Sequence, residues 1–382
     1  LNSKPKILLF IDWYLPGYMA GGPIRSCANL VEHLSDEFEF FIVTRDTDYT
    51  GTSPYPKIKS DAWNVLADGT QVYYFSADKL TGKNIRKLIS STEYDAVYLN
   101  GMYSVYFTLY PLMYLRRKRE KVVVVAVRGM LAESAIQIKK SKKKFFLRAV
   151  KVLGFFNKVV FHASNETEQK DIERELGPKM RVVIAGNLPP KELPVANTPR
   201  SKIAGNLSLI SVARIAPEKN LLYALQALSS VREGHIEFSI YGPVYDAGYW
   251  KKCQDLIATL PPNVIVNYCG SVESEQVPAL LARCHFLFMP TLGENFGHVI
   301  LQALSAGCPP IISDRTPWRG LEMRKAGWDL SLEKENQFES LLTRLCSIGQ
   351  AEFNMLSQNA FAYAQHYIHN PTTAEANRKL FR

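Results

Sequence analysis

Several things are missing from this sequence, and each absence narrows what it can be. No hydrophobic run is long: the longest aliphatic stretch is VVVVAV at 122–127, far short of the roughly 18–20 apolar residues that a membrane-spanning helix needs. Cysteine is sparse and unpatterned. Cys27, Cys253, Cys269, Cys284, Cys308 and Cys346 include no CxxC pair, and none has a histidine at zinc-finger spacing. They read as reduced, mostly buried thiols of a cytosolic protein, and a structural metal is not expected. There is no internal repeat and no low-complexity tract. The opening, LNSKPKILLFIDWYLPG, is a strand-length apolar run followed by polar and turn residues, not a secretory signal. Acid is in short supply: 36 Asp and Glu stand against 46 Lys and Arg, a net charge of +10. That balance favours anionic partners, whether nucleic acid, anionic lipid or phosphorylated small molecules. No helix-turn-helix, zinc finger or RNA-stacking motif is present, so nucleic acid is not expected.

What is present is a regular alternation. Short β-branched runs at 6–11, 38–43, 71–75, 96–99, 121–127, 158–162 and 181–185 are continuously apolar, as in strands buried on both faces of a parallel sheet. Helical patterns lie between them at 22–34, 104–118, 134–155 and 165–176. The stretch NLPPKELPVANTPRSK, 187–202, holds four prolines and reads as a linker. A second series follows, with strands at 207–213, 236–241, 263–268, 285–289 and 309–312 and helices at 218–231, 246–259, 275–283 and 297–306. The fold class is α/β: two doubly wound, Rossmann-like domains, expected to face a central cleft. Hydrophobic residues make up 47% of the chain, enough for two cores.

Three stretches carry chemistry. In MAGGPIRSCANLVEHL, 19–34, Gly21 and Gly22 precede a helix; they read either as a backbone that approaches an anion or as a plain flexible turn. In VARIAPEKN, 212–220, Arg214 and Lys219 flank a turn at a strand end, as a diphosphate clamp or as solvated surface cations. In TLGENFGHVILQALSAG, 291–307, Glu294 stands before a helix whose first amides, at Phe296, Gly297 and His298, can receive an anion. Gln302 is a polar residue inside that otherwise apolar helix.

Taken together, GGPIRSCANLVEHL, FHASNETE (161–168), VARIAPEKN, IYGP (240–243), YCGSV (268–272) and ENFGHVILQALSAGCPPIISD (294–314) resemble the retaining glycosyltransferases of family 4, group 1, with the GT-B fold, over nearly the whole chain. The resemblance implies an acceptor-side domain over 1–190, a donor domain over 191–360 and a C-terminal helix, 361–382, packing back on the first. It implies that Arg214 and Lys219 neutralise the donor diphosphate, that Glu294 accepts hydrogen bonds from the donor sugar, and that the amides of 296–298 hold sugar and phosphates. Gln302 would face the nucleotide ribose and the loop around Val272 the base. Gly21, Gly22 and Gly242 would border the donor. The substrate would be a UDP- or GDP-linked sugar, with no cofactor, no metal and retention of configuration. The leaving phosphate would help to deprotonate the acceptor.

Two departures from the family pattern stand out. Its Glu-x7-Glu is here Glu294-x7-Gln302; an amide offers one acceptor and a donor in place of a carboxylate, a loss of at most about 1–2 kcal/mol in nucleotide affinity. Where many relatives have a histidine, this chain has Arg128, which could touch a phosphate or an acidic acceptor. A competing signal, Asp46 and Asp48 in RDTD, has the DxD form of a metal site.

Finally, KKSKKKFFLRAVKVLGFF, 139–156, contains no acid. Lys140, Lys144, Arg148 and Lys151 fall on one helical stripe beside an apolar stripe of Phe145, Ala149, Val152 and Phe156; RRKREK at 116–121 adds charge. The helix either docks on an anionic membrane or packs on the sheet by that apolar stripe. The sequence thus predicts a cytoplasmic enzyme, peripheral on the inner face of the plasma membrane, that transfers a sugar to a glycan or lipid-linked acceptor in surface polysaccharide or lipopolysaccharide synthesis. The alternative is a non-catalytic GT-B protein that binds nucleotide sugar or glycan.

Overall fold

The computed structural model describes residues 3–116, 121–137, 140–191 and 199–382. Two compact units result, Leu1–Lys191 with Asn370–Arg382, and Glu192–His369.

The first unit is built on strands β1 (Lys6–Phe10), β2 (Glu39–Arg45), β3 (Trp63–Val65), β4 (Gln71–Phe75), β5 (Ala96–Asn100), β6 (Val122–Ala126), β7 (Val160–Ala163) and β8 (Arg181–Ile184). Their order across the sheet is β3-β4-β2-β1-β5-β6-β7-β8, and every pairing is parallel except β3 with β4. The middle strands are buried throughout; all five residues of β5 are. That is why their sequences read as unbroken apolar runs rather than alternating ones. Helices α1 (Gly22–Leu34), α2 (Gly82–Ser91), α3 (Tyr110–Leu115), α4 (Glu133–Gln137), α5 (Lys140–Val152) and α6 (Glu166–Leu176) connect them.

The helix expected over 104–118 is broken. Val105–Leu109 forms a π-helical turn, with the Leu109 amide donating to the Ser104 carbonyl at 2.9 Å, before α3 begins. Pro111 has no N–H to continue an α-helical ladder, which accounts for the change of register. The helix expected over 134–155 is described as α4 and α5, with 138–139 outside the described residues.

The second unit has strands β9 (Asn206–Val212), β10 (His235–Tyr241), β11 (Val264–Tyr268), β12 (Phe286–Met289), β13 (Pro310–Ser313) and β14 (Trp328–Leu330) in the order β11-β10-β9-β12-β13-β14, all parallel. Its helices are α7 (Leu221–Ser229), α8 (Ala247–Ile257), α9 (Val277–Leu281), α10 (His298–Ser305), α11 (Gln337–Ser347) and α12 (Gln350–Ile368). Helix α12 packs on α10. Helix α13 (Pro371–Arg378) then begins at an Asn370 cap and belongs to the first unit, where Phe381 beyond it meets Phe38 at 5.4 Å. The returning segment therefore starts at Asn370, not 361.

The stretch 187–202 does not behave as linker along its length. Residues 192–198 lie outside the described residues, but Arg200 and Lys202 are buried in the second unit. The Lys202 ammonium donates to the carbonyls of Cys346 (3.2 Å) and Ile348 (3.0 Å).

A buried polar chain ties the strand ends of the first unit. Arg128 Nη2 donates to the Tyr98 hydroxyl at 2.8 Å, and that hydroxyl faces His162 Nδ1 at 2.8 Å. His162 Nε2 lies 2.7 Å from the Ala185 carbonyl, which can only accept; Nε2 therefore carries the proton and Nδ1 accepts from Tyr98. The imidazole is held neutral, and burial, reinforced by the Arg128 charge, pushes its pKa from 6.5 down to about 3. An unfolded histidine takes up a proton below about 6.5 and this one does not, so stability is intact above that pH and falls as pH drops toward 3. The expected slope is about 1.4 kcal/mol per pH unit. Urea unfolding of the wild type and His162→Gln between pH 6.5 and 4.5 checks this: the difference between their slopes should equal one proton.

Candidate functional site

In each sheet the strand order reverses once, between β1 and β5 and between β9 and β12. Ligands of open α/β sheets bind beyond the carboxyl ends of strands at such points. The stretches singled out above fall there.

In the second unit β9 leads into Arg214 and a 3₁₀ turn, Pro217–Lys219. Asn220 then adopts a left-handed conformation, φ 58°, before α7 starts, so the helix expected from 218 is split. The turn is stitched to the loop after β12. Thr291 Oγ1 and the Leu292 amide donate to the Glu218 carbonyl at 2.9 and 3.0 Å, and Asn220 Nδ2 donates to the Pro290 carbonyl at 2.9 Å. The loop after β13 joins them: Ser313 Oγ donates to the Thr291 carbonyl, and the Glu294 amide to the Arg315 carbonyl at 3.1 Å. Three strand ends thus form one rigid rim.

On that rim Lys219 Nζ is ion-paired with Glu294 Oε1, and both side chains are mostly buried, 18% and 14% exposed. The family resemblance implies separate tasks for these residues; the structure joins them. An ammonium has three donors, so Lys219 can keep Glu294 and still meet an anion. Arg214 is half-exposed, 3.0 Å from Glu218 and stacked over Tyr245 at 5.3 Å. Neither Glu218 nor Tyr245 was singled out as a partner of Arg214; an acid four residues after an arginine at a strand end is the signal for the first.

Gly297 opens α10 in the left-handed conformation, φ 76°, and a Cβ there would lie 2.6 Å from Ile300 Cδ1. No side chain among the described residues caps this helix start, so its positive dipole end at the rim is left without a capping partner. The loop before it is fixed, because Trp318 Nε1 donates to the Phe296 carbonyl and the two rings pack at 5.3 Å. Phe296 is core; its contribution to a ligand is limited to its backbone. Along α10 the half-buried positions are His298, Val299 and Gln302, the rest being buried. His298 and Gln302 are one turn apart on the same face, and the Gln302 side chain has no hydrogen-bond partner among the described residues. Gly242 follows β10 at φ 143°; a Cβ would sit 1.9 Å from the Ala213 carbonyl, so only glycine fits beside the Arg214 strand end. Val272, after β11, packs partly buried against the α10 core.

In the first unit Gly21, φ 71°, and Gly22 start α1, which has no side-chain cap. Both are exposed. Asp48 holds this loop by accepting from the Tyr18 amide at 2.9 Å and the Tyr49 amide at 2.7 Å. Asp46 is buried and accepts from Ser60 Oγ at 2.6 Å. The two carboxylates of RDTD are thus loop anchors, and no group of three or more metal-ligating side chains occurs among the described residues. Arg128, at φ 55°, donates from Nε to Asn100 (2.8 Å), from Nη1 to Asn187 and from Nη2 to Tyr98, binding the ends of β5 and β6 together.

Sequence reading missed Asp12, the carboxylate directly beyond β1. It accepts from Ser104 Oγ at 2.9 Å and lies 3.7 Å from Arg45. Burial pushes its carboxyl up, partly offset by those two donors. The Arg45 guanidinium is surrounded by Trp13, Tyr106 and Phe107 at 5.8, 5.8 and 5.4 Å. An acid immediately after the first buried strand was the available signal.

The basic helix α5 packs by a different stripe from the one expected. Leu147 and Val150 are buried and Phe146 meets Tyr103 at 5.3 Å, whereas Phe145 is 76% and Val152 87% exposed. Lys144, Arg148 and Lys151 are exposed beside them. Of the expected stripe only Phe156 is buried. The Lys140 side chain and residues 117–120 lie outside the described residues. No helix among the described residues is long and apolar enough to cross a membrane.

Residues 196–324 match the model of a family described as group 1 glycosyl transferases. The putative colanic acid biosynthesis glycosyltransferase WcaL of Escherichia coli (strain K12) is 24% identical over 182 residues, 46% of this chain. The match spans 44% of that relative's length. Among solved structures, HepE of Anabaena, crystallised with UDP and glucose, superposes with a TM-score of 0.70 at 15% identity, covering 98% of both chains. Sucrose-phosphate synthase of Thermosynechococcus elongatus gives 0.69 at 15% identity, covering 100% of this chain and 98% of that one. At such identity the likeness is one of fold, and the fold is GT-B.

Proposed function

We propose that this chain is a glycosyltransferase of the group 1 type. It moves a hexose-type sugar from a UDP- or GDP-linked donor to a glycan acceptor, with retention of configuration and without a metal ion. The observation that carries this reading is the rim of the second unit, where Lys219, Arg214 and the uncapped α10 start bring positive potential to the switch point, with Glu294 beside them. A nucleoside diphosphate leaving group develops negative charge as the glycosidic bond breaks, and preorganised cations and helix amides stabilise it there. Glu294 is placed to accept hydrogen bonds from sugar hydroxyls. The departing phosphate takes the acceptor proton on the same face, which gives retention. The accessible Gln302 side chain is left for the ribose.

Calorimetric titration with UDP, GDP and their sugar conjugates in EDTA tests this. Micromolar binding of one nucleotide is the expected result, with Gln302→Glu tightening it by about tenfold. Binding seen only after manganese is added would overturn the metal-free reading.

We also propose that the exposed α5 face seats the enzyme on an anionic membrane, bringing it to a lipid-linked acceptor at the inner face of the plasma membrane. Three cations and two apolar side chains with no packing role point outward together. Each cation near such a surface contributes about 1 kcal/mol. The triple variant Lys144→Gln, Arg148→Gln, Lys151→Gln should therefore lower partition onto phosphatidylglycerol vesicles by about a hundredfold in flotation. Partition onto phosphatidylcholine vesicles should be weak for both proteins.

A further inference from the structure

Away from both switch points, on the first unit, a cavity of about 320 Å³ opens between α2 and the edge formed by β3 and β4. It is two strands removed from β1. Its floor is aromatic. Trp63, Tyr73 and Phe75 line it, and Phe41 packs edge-to-face against Trp63 at 5.6 Å. The β3–β4 register pairs Trp63 with Tyr73, which places both rings on one face of the sheet. Trp63 and Phe75 stand 5.5 and 4.7 Å from Tyr73. Trp63 and Tyr73 are only partly covered, whereas Phe75 beneath them is buried.

The walls are basic. Lys79 and Lys87 line the cavity, and neither ammonium has a partner among the described residues. The one acid lining the cavity among the described residues, Asp61, has both oxygens engaged, accepting from the Ser76 amide at 3.1 Å and the Ser76 hydroxyl at 2.7 Å. From residue 79 to 91 the chain carries Lys79, Lys83, Arg86 and Lys87 and no acid. The volume falls at the lower end of small-ligand pockets, about 300–1,000 Å³.

We propose that this cavity binds an acidic sugar unit, a uronate-type pyranose, as a second glycan site separate from the reaction centre. The C–H face of a pyranose lies against aromatic rings, and a carboxylate on it meets the two lysines. A flat nucleobase fits less well. Trp63 stands edge-to-face to Phe41 and to Tyr73, at 86° and 77°, so there is no parallel slot. A polymer held here would stay with the enzyme between transfers, and local concentration would rise accordingly. The site does not depend on the proposed transfer reaction, since it is read by binding alone.

The test uses the full chain labelled with 5-fluorotryptophan, which gives one ¹⁹F signal for each of its five tryptophans. Trp63→Phe assigns the relevant signal. Titration with a tetrasaccharide of alternating glucuronate and N-acetylglucosamine should shift the Trp63 signal. In Lys79→Ala/Lys87→Ala, which alters only exposed side chains, the affinity should fall about tenfold. Maltotetraose, which is neutral, should leave the signal unmoved. The proposal is overturned if the acidic tetrasaccharide moves nothing, if the shift survives loss of both lysines unchanged, or if uridine monophosphate moves the Trp63 signal at lower concentration than the tetrasaccharide.

Discussion

Lys219→Ala is expected to lower kcat for release of nucleotide from the donor sugar by about a hundred- to a thousandfold, the cost of removing one preorganised donor from a developing oxyanion. The argument rests on where the ammonium is held. Its turn is bonded to the loop after β12 by Thr291, Leu292 and Asn220, and Glu294 fixes its head. On the proposed reading Lys219 would therefore meet the leaving group without being reorganised at the moment of reaction. Lys219→Arg keeps the charge but changes a point cation into a planar fork, and an intermediate loss is expected. Glu294→Gln separates the roles. If Glu294 serves only to hold Lys219, Glu294→Gln and the double variant should lose no more than Lys219→Ala, and the double-mutant cycle should show full coupling. If Glu294 also receives sugar hydroxyls, Glu294→Gln should raise KM for the nucleotide sugar while affinity for the free nucleotide stays near wild type. A fall of less than tenfold in Lys219→Ala would remove Lys219 from the transfer step.

Much of this arrangement could be read from the chain because it depends on local pattern. Strands buried on both faces, such as VVVVA of β6 and FLFM of β12, have no way to appear except as continuous apolar runs. Strands β3 and β14, three residues each at sheet edges, are too short for periodicity to register. The rim residues were visible because strand ends followed by turn and helix signals are local features. Their pairing was not: that Lys219 meets Glu294 depends on β9 lying next to β12, a fact of sheet order. Helix α5 illustrates the same limit. Its sequence contains two apolar stripes, and only tertiary packing decides that Leu147 and Val150 face inward while Phe145 and Val152 face water. Arg45 was overlooked because its significance lies in Trp13, Tyr106 and Phe107, which come from distant segments, and Asp12 because its partners Ser104 and Arg45 are equally distant in the chain.

Arg200→Met should destabilise the second unit by about 3–5 kcal/mol, because a buried cation would be withdrawn and the carbonyls of Cys284 and Ala306 would be left with no donor among the described residues, while those of Leu281 and Gly307 would keep only the Cys284 amide and Ser357 Oγ. Composition gave no hint of this. Arg200 sits at the end of a proline-rich polar stretch, and such arginines are usually solvated. Here the guanidinium reaches inward. Nη1 donates to the carbonyls of Leu281 and Cys284 at 3.3 and 2.8 Å; Nη2 donates to Ala306 at 3.1 Å, to Gly307, and to Ser357 Oγ at 2.9 Å. Leu281 and Cys284 close α9, and Ala306 and Gly307 close α10, so one side chain satisfies the last carbonyls of two helices. A cation is favoured there by both helix dipoles as well as by hydrogen bonding, although burial alone lowers its pKa. Lysine could not replace it, since a single ammonium lacks the fork that spans both helix ends. Helix α10 is thus held by Arg200 at its C-terminal end and presents its uncapped start to the rim at the other, where Trp318 anchors it separately. Urea unfolding followed by a probe in each unit checks the prediction: in Arg200→Met the second unit should unfold at lower urea, with the first unit's transition unchanged. Below that transition nucleotide affinity should remain within about threefold of wild type, since the start of α10 keeps its own anchor at Trp318 and distant, independent sites add. Loss of nucleotide binding in a variant that is still folded would instead show that Arg200 sets the position of the α10 start.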